Sequence, residues 1–243
     1  MSNHDSAPAE ADLPLPAPVA SGWRAIRRNP SAALLAVQLV SLMVYPFFDR
    51  DASSTGRSMV ALFGLLALAA TTRLVASTPW TFVVSVVIGV PAVVLTVIDA
   101  LTGWAQPWHF WSDVFHLLFY IYAAIALLVY IFTDDHITAD ELFAVAAAFT
   151  LAMWAFAHGY SALQHLQPGS FTAAVDPDGP RSWMELLFLS CTTLTSTGLS
   201  DVVPIRPVAR AAVMVQQLAG VFYIAMAISR VMALTVARQR RVA

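Results

Sequence analysis

A run of small hydroxyl side chains around one glycine is the part of the sequence best suited to ion chemistry. Residues 191–201 read CTTLTSTGLSD, and they overlap the end of an apolar stretch, 183–195, of only 13 residues. As a helix that stretch spans about 20 Å, whereas a bilayer core is about 30 Å thick. A half-span helix enters and leaves a membrane from the same side, and its inward-pointing C-terminus favours a cation in the cavity that it faces.

The short helix has a defined start. Ser182 followed by Glu185 is a capping-box pattern, which predicts a helix beginning at residue 183. Non-helical backbone at membrane depth is tolerated only where it is buried in protein or lines water, so the pattern predicts a re-entrant loop. The alternative is that the hydroxyl groups serve as hydrogen-bonding contacts between the helices of an ordinary bundle.

The composition predicts an all-α integral membrane protein. Of the 243 residues, 58% are hydrophobic and 12% are charged, and the mean hydropathy is +0.69. An average soluble domain is about a quarter charged. The net charge of −2 gives no basis for nucleic-acid binding, and Cys191, as the single cysteine, excludes a multi-cysteine metal site. No hydrolytic or redox constellation is visible in the sequence, which predicts that the protein is not an enzyme.

Six apolar stretches are long enough to be transmembrane helices. They cover residues 32–48, 59–76, 80–101, 110–132, 142–163 and 208–236. Arginine clusters at residues 24–28 and 238–241 flank the first and last stretches, so both termini are predicted to be cytoplasmic. The short helix and its loop lie between the fifth and sixth stretches.

Four segments of different character divide the chain. Residues 1–30 read as a disordered tail, 31–138 as a four-helix membrane domain, 139–237 as a pore domain, and 238–243 as a short basic tail. A voltage sensor needs about three to four gating charges per subunit. Because residues 74–180 contain no Arg or Lys, we expect weak voltage gating or none.

Two segments of the pore domain carry a family resemblance. Residues 191–204 resemble the selectivity-filter segment of potassium channels, and 210–232 resemble the pore-lining inner helix of bacterial two-span pore modules. The single glycine of residues 196–200, STGLS, also resembles the filter loops of Trk- and Ktr-type potassium transporters. Each of those transporters carries four loops on one chain, whereas this chain has one. The resemblance therefore implies a homotetramer in a lipid bilayer, the plasma (inner) membrane of the cell, with a separate regulatory subunit as a possible partner.

The resemblance implies roles for individual residues. Carbonyl and hydroxyl oxygens of the filter would hold potassium, the permeant ion and the only ligand expected, at Ser196, Thr197, Gly198 and Leu199. The positions expected to support the filter are Thr193, Thr195, Ser200, Asp201 and Glu185. Gly220 matches the hinge glycine of the inner helix; the alternative is that Gly220 allows another segment to pack closely against this helix.

Two filter positions depart from the family pattern. Leu199 replaces the aromatic residue of that pattern, so any bond from a ring hydroxyl to the pore helix is lost. Ser200 replaces the second filter glycine, where left-handed backbone would cost a residue with a Cβ about 1–2 kcal/mol. We therefore expect potassium to be preferred over sodium less strictly than in a two-glycine filter. The resemblance implies a passive potassium channel; the alternatives are a non-selective cation channel and a non-conducting or regulatory subunit. A transporter of another solute has little support, because no inverted repeat is visible.

Ionisable residues inside the apolar stretches form two further pairs. Asp113 and His116 share a helix face and are expected to form an interfacial ion pair. His158 and His165, seven residues apart on the fifth stretch, are expected to serve packing or interface roles rather than metal binding.

Overall fold

The computed structural model describes residues 29–49, 79–102, 108–133 and 139–242. Most of the predicted tail, residues 1–30, and the whole predicted second span, 59–76, lie outside these residues. Of the predicted basic tail, the backbone up to residue 242 is described.

The described residues are mostly helical. The helices are α1 (Pro30–Val44), α2 (Pro46–Asp49), α3 (Pro79–Thr102), α4 (Trp108–Thr133), α5 (Ala139–Leu166), α6 (Trp183–Leu194) and α7 (Pro207–Val242). Two short strands, β1 (Phe171–Ala173) and β2 (Val202–Pro204), flank α6 and the loop that follows it.

Four of the helices in the described ranges are long and apolar enough to cross a membrane. The apolar windows are Thr81–Ile98 in α3, Trp108–Phe132 in α4, Asp140–Leu166 in α5 and Pro207–Met232 in α7. They correspond to the third, fourth, fifth and sixth predicted spans.

The first predicted span, 32–48, is not one uninterrupted helix. It divides at Tyr45, because the next residue is Pro46, which has no N–H to donate to the preceding helical turn. The resulting α1 has 15 residues and is about 22 Å long.

The centre of the described fold is the antiparallel pair of α4 and α5. Alanines line the buried side of α5, and they let its backbone approach α4 closely, as small residues do between membrane helices. The buried residues of this core include Ala144, Ala147, Ala148 and Ala155 of α5 and Phe119, Tyr120, Ala123 and Leu127 of α4. Helix α3 packs on α4, and α1 packs on α5.

A carboxylate of α5 holds the N-terminus of α1. Asn29, the N-cap residue, makes no side-chain cap, and Asp140 supplies the acceptors instead. Its Oδ1 accepts the backbone N–H of Ser31 at 2.9 Å, and its Oδ2 accepts the Ser31 hydroxyl at 2.8 Å. The negative charge also lies at the positive end of the helix dipole, which favours the contact.

Asp140→Ala is therefore expected to lower the stability of the protein. The change removes two charge-assisted hydrogen bonds and leaves the buried Ser31 groups without acceptors, at a cost of about 2 kcal/mol. Thermal unfolding of the detergent-purified protein measures the effect. Asp140→Asn, which keeps one acceptor oxygen, should lose less; equal melting temperatures for wild type and Asp140→Ala would contradict the assignment.

A two-stranded sheet adds a small β element to the predicted all-α fold. Strands β1 and β2 are antiparallel, with Phe171 opposite Pro204 and Ala173 opposite Val202. The strands lie on either side of α6 in the chain. The pairing therefore ties the segment that enters the short helix to the segment that leaves its loop.

Candidate functional site

Helix α6 is the half-length helix expected from the sequence, and its predicted capping box is confirmed. The Ser182 hydroxyl accepts the Glu185 N–H at 3.2 Å, and the Ser182 N–H donates to Glu185 Oε2 at 2.6 Å. Glu185 Oε1 lies 3.3 Å from an Arg181 guanidinium nitrogen. Glu185 thus lies at the end of α6 remote from the loop, so any support that it gives the loop is transmitted through the helix.

The short helix is packed between α5 and α7. Its buried residues are Leu186, Leu187, Leu189, Ser190, Thr192, Thr193 and Leu194. With 12 residues it is about 18 Å long, too short to cross a bilayer core.

A buried polar network joins the three helices, and no local pattern in the sequence indicated it. Ser190 of α6 donates its hydroxyl to the Met153 carbonyl of α5 at 2.6 Å. Gln216 of α7 donates from Nε2 to Ser190 Oγ at 2.7 Å and to the Ser190 carbonyl at 3.0 Å. Its Oε1 accepts the hydroxyl of Tyr160 on α5. Gln216 is fully buried, so every one of these bonds is shielded from competing water.

The loop after α6 turns back tightly on the last helical residues. The Thr192 carbonyl accepts the N–H groups of Thr197 at 2.9 Å and Gly198 at 3.1 Å. Thr195 donates its hydroxyl to the Cys191 carbonyl at 2.8 Å, and its Oγ1 lies 3.1 Å from Thr197 Oγ1. The structure thus brings the hydroxyls of Thr195 and Thr197 together at the C-terminus of α6.

Left-handed backbone occurs at Gly198, which matches the first filter glycine, and at Ser196. Ser196 has φ +59° and Gly198 has φ +65°, whereas Ser200 is not among the residues with positive φ. The folded subunit therefore avoids the cost of left-handed backbone at Ser200, and Ser196 is the loop residue with a Cβ that adopts it. Ser200 accepts the Val202 N–H with its hydroxyl at 3.1 Å, so its side chain stabilises a local turn.

The loop has a buried side and an open side. Thr193, predicted to support the filter, is buried, whereas all four predicted ion-binding residues are exposed in the single subunit; Leu199 is 76% exposed. Asp201 is also exposed, and the residue that packs into the subunit here is Val202. The exposed side of the loop therefore consists of the four residues predicted to bind the ion, together with Asp201.

Gly220 of α7 lies against the C-terminus of α6. A Cβ at this position would overlap the Leu194 carbonyl oxygen and would lie 2.9 Å from the Leu194 carbonyl carbon. Helix α7 is continuous through this point. The contact favours the close-packing role for Gly220, and the hinge role remains a prediction.

One side of α7 is apolar and uncovered. Only 17% of its apolar window is buried. Large exposed side chains include Met214, Val215, Leu218, Val221 and Phe222. A face of this kind has to be covered by lipid or by other protein.

Asp113, expected to form an ion pair with His116, is hydrogen-bonded to a histidine of the neighbouring helix. Its Oδ1 accepts from His158 Nδ1 of α5 at 2.8 Å. His116 Nδ1 is 2.8 Å from the Ser112 carbonyl, and its ring stacks on that of His158 with centroids 4.6 Å apart. The carboxylate therefore links two neighbouring helices.

Comparison with known proteins identifies one part of the chain. No curated protein and no solved structure matches the chain. Residues 144–237 match the family model described as an ion channel. The matched region begins in α5, includes α6 with its loop, and ends in α7. It contains two of the four helices capable of crossing a membrane. Residues 144–237 are therefore similar to an ion channel domain, and they are called the ion channel domain below.

Proposed function

We propose that four copies of this chain surround a pore that conducts potassium passively across the plasma membrane. The observation that carries the proposal is the loop of residues 195–201, which follows a buried half-length helix within the ion channel domain and exposes the four residues predicted to bind the ion. In a tetramer, each carbonyl level of Ser196, Thr197, Gly198 and Leu199 would supply four oxygens to replace the water of a dehydrated cation.

The uncovered face of α7 supports the assembly. Inner helices that line a pore must contact other subunits on one side, and the exposed apolar residues of α7 provide such a surface. In the proposed tetramer both termini are cytoplasmic and voltage gating is weak or absent. A separate regulatory chain remains a possible partner.

The reversal potential of the purified protein in planar bilayers tests this function. With potassium on one side and sodium on the other, we expect a potential displaced toward the potassium equilibrium value. A reversal near zero with measurable current would indicate a non-selective cation channel. The absence of current would indicate a non-conducting or regulatory subunit.

Gly198→Ala should abolish the preference for potassium. Gly198 has φ +65°, and in the single subunit no neighbouring atom lies within 4 Å of the position that a Cβ would occupy. The local penalty is therefore the backbone strain of about 1–2 kcal/mol, and relief of that strain moves the loop carbonyls. Gly169→Ala is the matched control, since Gly169 has φ +74° and lies outside the loop. Equal reversal potentials for the two variants would contradict a filter role for the loop.

A further inference from the structure

Four of the six histidines in the chain gather around one carboxylate at an end of the α4–α5 pair. His109 and Asp113 lie in the first turns of α4, and His165 lies in the last turn of α5. His158 and His116 complete the group, each about two turns deeper than the other histidine of its helix. The antiparallel arrangement of α4 and α5 brings these residues to the same level.

Three of these side chains present ligand atoms to a common point. Asp113 Oδ2 lies 3.8 Å from His109 Nε2 and 3.9 Å from His165 Nε2. The three ligand atoms all lie within 4.8 Å of one another. Donors around a tetrahedral zinc ion with 2.0–2.1 Å bonds are about 3.4 Å apart, so small side-chain rotations bring all three to bonding distance.

Only one of the two oxygens of the Asp113 carboxylate is placed to bind a cation. Its Oδ1 accepts the hydrogen bond from His158, whereas its Oδ2 is buried and has no hydrogen-bond partner among the described residues. The two imidazole nitrogens nearest to Oδ2 in the group are too far away to be hydrogen-bonded to it. A buried carboxylate oxygen in a membrane helix is costly unless a positive charge or a donor satisfies it.

We propose that His109, Asp113 and His165 bind a divalent transition-metal ion of the zinc class. Two imidazoles and one carboxylate suit zinc and its neighbours in the first transition row, and they leave a fourth position for water. His158 acts as the outer partner that orients the ligating carboxylate. This proposal does not depend on the ion that the pore conducts.

An ion can reach the site, and the site touches the ion channel domain. The side chains of His109 and His165 are 18% and 19% exposed, whereas that of Asp113 is 4% exposed, so the imidazoles form the entrance. On the inner side, the His158 ring lies 4.1 Å from that of Trp183, the first residue of α6. A bound metal would therefore fix the carboxylate and the imidazole that pack against the start of the short helix.

Calorimetric titration of zinc chloride into the full chain, purified in detergent and stripped of metal, tests the proposal. We expect one zinc ion per chain, and cobalt(II) at the same site should show the visible absorption bands of a low-coordinate centre. His109→Gln and His165→Gln should each weaken zinc binding by more than about 100-fold, because each removes a ligand rather than an outer partner.

His116→Gln is the matched control, since it removes an imidazole of the same cluster that is not a proposed ligand. It should weaken zinc binding much less than the two ligand variants do, because His116 contacts the site through the ring of His158. The proposal is overturned if wild type binds no stoichiometric zinc, or if all three variants weaken binding equally. Melting temperatures measured without metal distinguish the loss of a ligand from the loss of the fold. Zinc should raise the melting temperatures of wild type and His116→Gln, and it should leave those of His109→Gln and His165→Gln unchanged.

Discussion

Gln216→Leu is expected to destabilise the protein by about 2–3 kcal/mol, because it removes one member of a buried polar network and leaves the others in place. The Tyr160 hydroxyl would lose its acceptor, and the carbonyl and hydroxyl of Ser190 would lose the Gln216 amide. The apolar side chain fills a similar volume, so the loss comes from unsatisfied polar groups rather than from a cavity. Thermal unfolding in detergent measures the destabilisation, and potassium flux into vesicles measures its effect on the pore.

Gln217→Leu provides the control for this experiment. Gln217 is the next residue of α7 and is exposed, so replacing it should change neither the stability of the protein nor the buried polar network around Gln216. Combining Tyr160→Phe with Gln216→Leu removes the orphaned hydroxyl and should recover part of the stability. If the double variant is no more stable than the Gln216→Leu single variant, the Tyr160–Gln216 bond contributes nothing.

Gly220→Ala is expected to abolish conduction and to lower stability together. The added methyl group would overlap the Leu194 carbonyl, and backbone cannot rotate away as a side chain can. The end of α6 must shift, and the loop must shift with it, because Thr195, Thr197 and Gly198 are all hydrogen-bonded to the last turn of that helix. Overpacking of this kind costs about 1–3 kcal/mol, which exceeds the gain of up to about 1 kcal/mol in helix propensity.

Gly159→Ala is the matched glycine variant for this test. A Cβ at Gly159 would meet only the Leu117 side chain, at an ordinary contact distance of 3.6 Å. This variant should keep conduction and gain helix propensity. If Gly220 served only as a hinge, Gly220→Ala would keep or raise the melting temperature while changing conduction. A stable but non-conducting Gly220→Ala protein would thus reverse our assignment of Gly220 to packing.

Local signals in the sequence predicted the frame of the ion channel domain. The start of α6 followed from Ser182 and Glu185, since both partners of a capping box lie within four residues. The four long helices followed from hydropathy, because a membrane imposes the same length requirement on every spanning segment.

Contacts between distant segments could not be predicted in the same way. In the sequence, Gln216 is one of two adjacent glutamines, and only the packing of α7 on α6 shows which of the two is buried. Matching the motif position by position indicated a departure at Ser200, but it did not indicate that Ser196 would have positive φ. The prediction for Asp113 considered only its own helix, and the hydrogen bond to His158 of the facing helix depends on tertiary packing.

A usable signal for the histidine cluster was nevertheless present. His109 and Asp113 are four residues apart near the start of one apolar segment, and His158 and His165 are seven apart near the end of the next. Two consecutive membrane helices joined by a short connection are antiparallel, so the start of the first lies beside the end of the second. Reading the two spacings together would have placed these groups at one level.

The bond between Asp140 and the start of α1 limits how far the ion channel domain is a separable module. The region that matches the channel family begins at residue 144, and the carboxylate that anchors α1 lies just before it. The alanine side of α5 is likewise shaped to fit α4 rather than lipid chains. Transplanting residues 144–237 into another protein would therefore separate α5 from the helices α1 and α4 that it packs against.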